Sequence, residues 1–224
     1  MDGAKNSLTK ELKFAKCLGL ASHCNASIYS FYGGELPNLM REVGRLRKQS
    51  FEGVGVSMPD SEAIDESDLD GTYHQLIAWD NDAGAIIGGY RYAIGREVEA
   101  ERLSLGRYFS LSNRFVSEYM PRGIELGRSF IQSRYQCGCN AKTIFALDAI
   151  WQGLACVVNR EQVDYLFRRV TFYPSLGIRA RNLVIGFMRY VFPGREPLMA
   201  ARQPMMCGLS RRRSRHYFVG GTPK

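Results

Sequence analysis

The chain predicts an α/β (α+β) fold, a central, mostly antiparallel twisted sheet flanked by helices. Three observations carry this. Two strand-like runs, 73–79 and 85–94, are joined by the turn Asn81-Asp82-Ala83-Gly84, which is a hairpin pattern. An apolar stripe at helical spacing precedes them. A strand–loop–helix–strand–helix order runs from Ile124 to Val191 and supplies helices to cover a sheet.

Taken in order, residues 1–30 are weakly patterned and read as one short helix and a loop. Gly33-Gly34 breaks the chain. In 36–47, Leu36, Leu39, Met40, Val43 and Leu46 form one helical stripe, with Pro37 suited to the first turn. Residues 52–71, rich in Gly, Asp, Ser and Glu, read as a long loop, and a loop of that length points to function. After the hairpin, 96–107 is a charged connection, 108–111 a short strand and 113–119 a short helix ended by Pro121. Residues 124–131 read as a strand with charges in mid-run, near which the sheet is expected to splay. Residues 133–141 form a loop. Residues 142–159 form a helix with Ile144, Leu147, Trp151, Leu154 and Val158 at heptad-like spacing. Residues 165–172 read as a strand and 180–191 as a helix stopped by Pro193-Gly194. Beyond Arg195 the patterning fails. The organisation expected is therefore an N-terminal segment 1–30, one domain over 31–195, and a poorly ordered basic tail over 196–224.

The 224 residues suit a single α/β domain with appendages, and 45% hydrophobic with 23% charged residues is ordinary globular composition. The net charge of +8 and pI near 9.3 imply an acidic partner: nucleic acid, anionic lipid or an acidic carrier protein. Part of the charge sits in Arg211, Arg212, Arg213 and Arg215. No run approaches the ~20 apolar residues of a membrane span, and the start carries no signal-peptide pattern. A cytoplasmic location with reduced cysteines is expected. Cys137-Gly138-Cys139 lacks zinc spacing and a second ligand pair, so no metal is expected.

The residues that carry chemistry are few. Glu125 and Arg128 are opposite charges in an apolar strand. Three apart, they point to opposite faces unless a bulge intervenes. They read either as a surface ion pair or as a cleft-facing carboxylate, a general base, with an arginine nearby. Gly88-Gly89 before Arg91 marks a bulge, a close approach of ligand, or simply a glycine-rich hairpin. Arg91 could hold an anionic or carbonyl group. The acidic run Asp65, Glu66, Asp68 and Asp70 reads as a solvated loop or as a trap for an amine. It lacks the spacing of a calcium loop. His74 reads as a structural histidine. No nucleophile elbow, phosphate loop, dinucleotide fingerprint or zinc-protease motif is present.

The blocks Leu36 to Arg47, Tyr73 to Ile77, Ile87 to Tyr92 and Ile124 to Ile131, with Leu147 to Leu154 and Tyr173-Pro174-Ser175, resemble the hemolysin-like acyltransferases of the GNAT fold. Among these they are most similar to the glycine N-acyltransferases of Bacteroides-type bacteria. Ornithine N-acyltransferases and acyl-homoserine lactone synthases are relatives. The resemblance covers about residues 30–195.

What it implies is transfer of a fatty acyl group from acyl carrier protein to the amine of an amino acid, glycine before ornithine. It implies no resident cofactor beyond the phosphopantetheine-linked donor. Glu125, Arg128 and Arg91 are then the catalytic set. Arg47, Phe51, Asp68, Asp70, Gly88, Gly89 and Ser129 form the substrate- and donor-binding set. The loop Ser133 to Ala141 lacks the glycine pattern with which CoA-dependent members cradle pyrophosphate, which favours a carrier protein over CoA. A peripheral membrane contact is allowed and a nucleic-acid partner is not expected, because the visible basic cluster lies in the unpatterned tail. A CoA-dependent acetyltransferase and a non-enzymatic basic binding module are the competing readings.

Overall fold

The computed structural model describes residues 2–204 apart from 54, 56, 60–62, 137–140, 173 and 195. Its frame is a six-stranded sheet of order β1-β2-β3-β4-β6-β7, with β1 Lys16–Leu20, β2 Ala26–Tyr32, β3 His74–Asp80, β4 Ala85–Ile94, β6 Gly123–Ile131 and β7 Tyr165–Phe167. All neighbouring pairs are antiparallel except the last: β7 runs parallel to β6. A small second sheet pairs β5 Phe109–Leu111 with β8 Met199–Ala201.

Alternation along the strands sorts the core into two faces. On one face Ile77, Trp79, Ile86 and Phe130 pack with Leu39, Met40, Val43 and Leu46 of α2 Pro37–Glu52 and with Leu12 of α1 Asp2–Leu12. Pro37 opens α2 as expected. Its exposed amides are met by a neighbour: Asn38 and Leu39 donate backbone N–H groups to the Glu11 carboxylate at 3.1 and 2.8 Å. On the other face α5 Ala141–Glu161 lies across β1 to β4.

Two expectations fail in part here. Of residues 1–30, read as one short helix and a loop, α1 supplies the helix, but the expected loop carries β1 and most of β2, so the segment before residue 31 contributes to the sheet. The heptad stripe of α5 holds only in its second half, where Leu154 and Val158 pack on the sheet. Ile144, Leu147 and Trp151 are exposed, while Ala146, Ala149, Ile150, Leu154 and Val157 face the sheet. The small residues are the reason. A Cβ at Gly153 would stand 2.8 Å from Ile28 Cγ2, so the helix sits too close to the strands for large side chains at every core position.

The connections hold more structure than the sequence suggests. The 52–71 stretch contains α3 Glu66–Leu69, and the 96–107 stretch contains a 3₁₀ turn and the start of α4 Ser104–Tyr108. Residues 115–119 form one π-helical turn. The strand expected over 165–172 is ordered as strand only at 165–167. Helix α6 Ile178–Val191 matches its expected place. Within the segment expected to be a disordered tail, β8 pairs with β5; the four tail arginines lie outside the described residues, as does the Cys137-Gly138-Cys139 pair. No described helix is long and apolar enough to cross a membrane.

Candidate active site

The site is set by the way β6 is paired on its two sides. Along β4 the register runs from Ile94↔Ile124 to Gly88↔Ile131, with a shift between Gly89 and Arg91 that leaves Arg128 and Ser129 opposite the single residue Tyr90. This is a β-bulge. Arg128 adopts φ of +49° there, a left-handed backbone that a non-glycine residue rarely holds without a compensating contact. On its other side β6 pairs with β7 only at Gly123, Ile124 and Glu125. Among the described residues that edge has no strand partner from Leu126 to Ile131, so the sheet splays beside the bulge as the sequence order led us to expect. A cavity of about 280 Å³ opens at the far end, where Tyr90, Ser129 and Ile131 of the sheet meet Leu147, Ile150 and Trp151 of α5. The outward turn of Leu147 and Trp151 is what lines it.

Below the bulge, on the α2 face, the bulk of the charged candidates converge. Arg47, wholly buried on α2, donates to Asp68 Oδ2 at 3.0 Å and to Gln75 Oε1. Gln75 in turn donates to Asp68 Oδ1 at 2.9 Å. Arg91 donates to Asp65 Oδ1 at 2.7 Å, stands 3.4 Å from Asp68 Oδ1, and lies over the Tyr73 ring with Cζ 4.3 Å from its centroid. Arg128 donates to Asp65 Oδ2 at 3.1 Å. The two aspartates are held by a capping box: each side chain accepts the other residue's backbone N–H at the start of α3.

The cluster's electrostatics follow from burial and pairing. Burial pushes the Arg47 guanidinium down to about 10, with Asp68 opposing the fall and Arg91 adding to it. Burial works against the charge of Arg91 as well, but Asp68 and Asp65 outweigh it and hold that group above the usual arginine value. Burial would raise the Asp65 carboxyl, yet the hydrogen bond and charge of Arg91, joined by Arg128, hold it below the usual carboxylate range.

Glu125 is at the other end of this face and is not part of the charge cluster. It is 1% exposed. Its Oε2 accepts from Tyr73 Oη at 2.5 Å and from Ser104 N at 3.0 Å; its Oε1 accepts from Ser104 Oγ at 2.8 Å and Leu105 N at 2.9 Å. The expected base therefore meets a carboxylate with four donors and no free face. Nor does Arg128 orient it, since the bulge turns Arg128 to Asp65. Burial, then the charge and hydrogen bond of Glu125, raise the Tyr73 hydroxyl far above its ordinary value, so it stays a donor.

The remaining candidates scatter. Asp70 caps α3, accepts Thr72 N at 2.8 Å and pairs with Arg102 at 2.6 Å, away from the cluster. Phe51 is half-buried in the last turn of α2. Gly88 and Gly89 admit protein, not ligand. A Cβ at Gly88 would lie 2.5 Å from the Phe130 carbonyl oxygen and 2.7 Å from Ile150 Cδ1, and one at Gly89 would lie 2.3 Å from the Leu76 carbonyl oxygen. Ser129 lines the cavity. Tyr73, Gln75 and Ser104 were not singled out from the sequence, and Asp65 was named only as one member of the acidic run. Asp65-x-x-Asp68 at the head of a helix is the signal that pointed to Asp65.

Comparison with known proteins places this geometry. Residues 46–146 match the family model described as Acetyltransferase (GNAT) domain. Over 229 aligned positions, covering 99% of the chain, 37% are identical to a protein named Glycine N(alpha)-acyltransferase from Bacteroides thetaiotaomicron. The chain belongs to this GNAT acyltransferase family. A second relative of the same name, from Phocaeicola vulgatus, is 35% identical over 90% of the chain. The acyltransferase chain spans 68% of the first relative's length and 64% of the second's. Among solved structures, the AHL synthase LasI overlaps 64% of this chain and 70% of its own, with 20% identity and a TM-score of 0.42.

Proposed function

We propose that this acyltransferase moves a fatty acyl group from acyl carrier protein to the amine of an amino acid, glycine before ornithine, and so makes an N-acyl amino acid lipid. The observation that carries the reading is the splayed and bulged strand β6. Its edge from Leu126 to Ile131, without a strand partner among the described residues, offers backbone groups to a linear thioester, and the cavity of about 280 Å³ at Tyr90, Ser129 and Trp151 opens beside it to take the pantetheine arm. The loop after β6 lacks the glycine pattern of a pyrophosphate cradle, which supports a carrier-protein donor. The name shared by the relatives supports glycine as acceptor.

In the reaction the amine nitrogen attacks the thioester carbonyl carbon. The C–N bond forms, the C–S bond breaks, and the sulfur leaves as thiolate and is protonated. The ammonium acceptor gives up one proton before attack and the nitrogen another after it. Among the described residues of the cluster every carboxylate is already engaged: Asp65 by Arg91 and Arg128, Asp68 by Arg47 and Gln75, Glu125 by Tyr73 and the head of α4. In this reading the first proton goes to water, and the minor free-amine form of the acceptor is the one that attacks. Turnover at subsaturating acceptor then rises with pH through the acceptor's own amine ionisation.

The test is direct. The purified chain is given fatty acyl carrier protein and single amino acids, and products are read by mass spectrometry, with acyl-CoA in parallel. N-acylglycine formed from the carrier-bound donor is expected. Absence of any N-acyl amino acid with both donors would end the proposal.

A further inference from the structure

Gly127 stands directly opposite Arg91 across the β4–β6 ladder. A side chain at this glycine would meet one atom within reach, Arg91 Nε at 4.0 Å. The face of the sheet therefore has a notch here, floored by backbone and walled by a guanidinium. That wall is unusual. Arg91 is only 4% exposed, and although its Nη1 grips the aspartates, its buried Nε–H has no hydrogen-bond partner among the described residues. A buried charged donor left unmade is costly, and such a group calls for an acceptor.

The charges say what kind. Among the described residues around the notch, Arg47, Arg91 and Arg128 face Asp65 and Asp68, three cations against two anions. Glu125 does not close the balance, because it lies beyond Tyr73 and gives both oxygens to neutral donors. Arg128 follows Gly127 in the chain and is the most exposed of the three, at 18% for its side chain, with a single ion-pair partner among the described residues.

We propose that the notch at Gly127 binds the α-carboxylate of the acceptor amino acid, one oxygen taking the Arg91 Nε–H and the carboxylate as a whole facing Arg128. The site rests on the N-acyltransferase reading above and refines it. The carboxylate neutralises the surplus cation, and its anchoring holds the α-amine beside the bulge at 128–129, where the thioester cleft ends. Recognition of α-amino acids over simple amines follows from one missing side chain.

Gly127→Ala tests this. The added methyl sits at ordinary contact distance and needs no backbone change, so a folded protein is expected by circular dichroism and thermal melt. Wild type and variant are compared with glycine and with glycinamide, which keeps the amine and lacks the carboxylate. Wild type should prefer glycine, and in the variant the ratio of kcat/KM for glycine to that for glycinamide should fall about tenfold or more, through KM for glycine. An unchanged ratio overturns the notch. If wild type acylates neither amine, the N-acyltransferase reading fails on its own. The notch is then decided by titrating glycine into both proteins and following binding by NMR: weaker binding in Gly127→Ala upholds it, and equal or absent binding in both refutes it.

Discussion

His74 is pressed between two aromatic rings, with centroids 4.1 Å from Tyr32 and 4.8 Å from Tyr92, on the sheet face covered by α5. Burial is the main cause that lowers its pKa from 6.5 to about 4, with Lys16 adding to the fall and Glu161 opposing it. The consequence for stability has a definite sign. Between pH 4 and 6.5 the unfolded chain binds a proton that the folded chain does not, so stability falls as pH drops through that window. The loss should reach on the order of 2–3 kcal/mol for a shift of this size. His74→Phe keeps a ring in the stack, and its urea midpoint should be flatter than wild type between those two pH values. Parallel pH curves for the two proteins would exclude His74 as the source. A lone histidine in a strand was legible from sequence as a structural residue. The charge cluster was legible only in part. Asp68, Arg91 and Arg128 stood out as charges within apolar or acidic runs and Arg47 only through the family resemblance, but which carboxylate met which arginine depended on a bulge, and a bulge inserts a residue without a sequence mark of its own. Glu125 drew attention for the same reason as Arg91, a charge in a buried strand. What distinguishes the two, four neutral donors against two aspartates, comes from segments 20 and more residues away.

At the scale of elements, Glu125 ties a strand to a helix. Ser104 N and Leu105 N are the first amides of α4, which lack partners within the helix, and the carboxylate of β6 accepts both. Glu125→Gln keeps the shape but places an amide NH₂ against at least one donor. We expect it to cost about 1–3 kcal/mol, which for a domain of this size lowers Tm by about 2–4 °C per kcal/mol. The pH profile of acyl transfer should be unchanged in the residual folded enzyme. If the variant melts as wild type does and its pH–rate profile loses an ionisation, Glu125 is the base after all. Elements with a clear period were read correctly from sequence: the α2 stripe, the β3–β4 hairpin and α6. The strands β1 and β2 were not, because Lys16 to Leu20 is mostly exposed edge strand and alternates poorly, and Ala26 to Tyr32 is buried on both faces. A strand without alternation gives no period-two signal. In the first half of α5 the large residues marked a stripe that the sheet cannot accommodate, since Ala146, Ala149 and Gly153 set how near the helix sits. The stripe instead became the wall of the cavity.

At the scale of the molecule the net charge of +8 bears on the donor. Arg47 of α2 is wholly buried and cannot meet an acidic partner. Arg41 and Arg45 remain exposed on that helix, though Arg45 is paired with Glu42 at 2.6 Å. Nearer the cleft, Arg134 follows β6 and Arg168 follows β7. These strands are parallel, but β7 ends level with Glu125, so the exposed Arg168 stands where the unpaired stretch of β6 begins and the exposed Arg134 beyond its end. A carrier protein that delivers its arm into that splay brings its acidic surface against this edge. Such exposed pairs act over a Debye length, about 10 Å at 0.1 M salt and about 3 Å at 1 M, and steer encounter more than they hold the complex. KM for the carrier-bound donor should therefore climb steadily with NaCl while kcat changes little. The double variant Arg134→Glu with Arg168→Glu should raise that KM at low salt and flatten its salt dependence, because the attraction that salt screens is already gone. Acyl-CoA, which offers the thioester without the acidic protein, should show neither effect. Salt-independent turnover from the carrier-bound donor, or equal turnover from acyl-CoA at the same concentration, would remove the carrier protein from the reaction and leave the splayed cleft serving a free thioester.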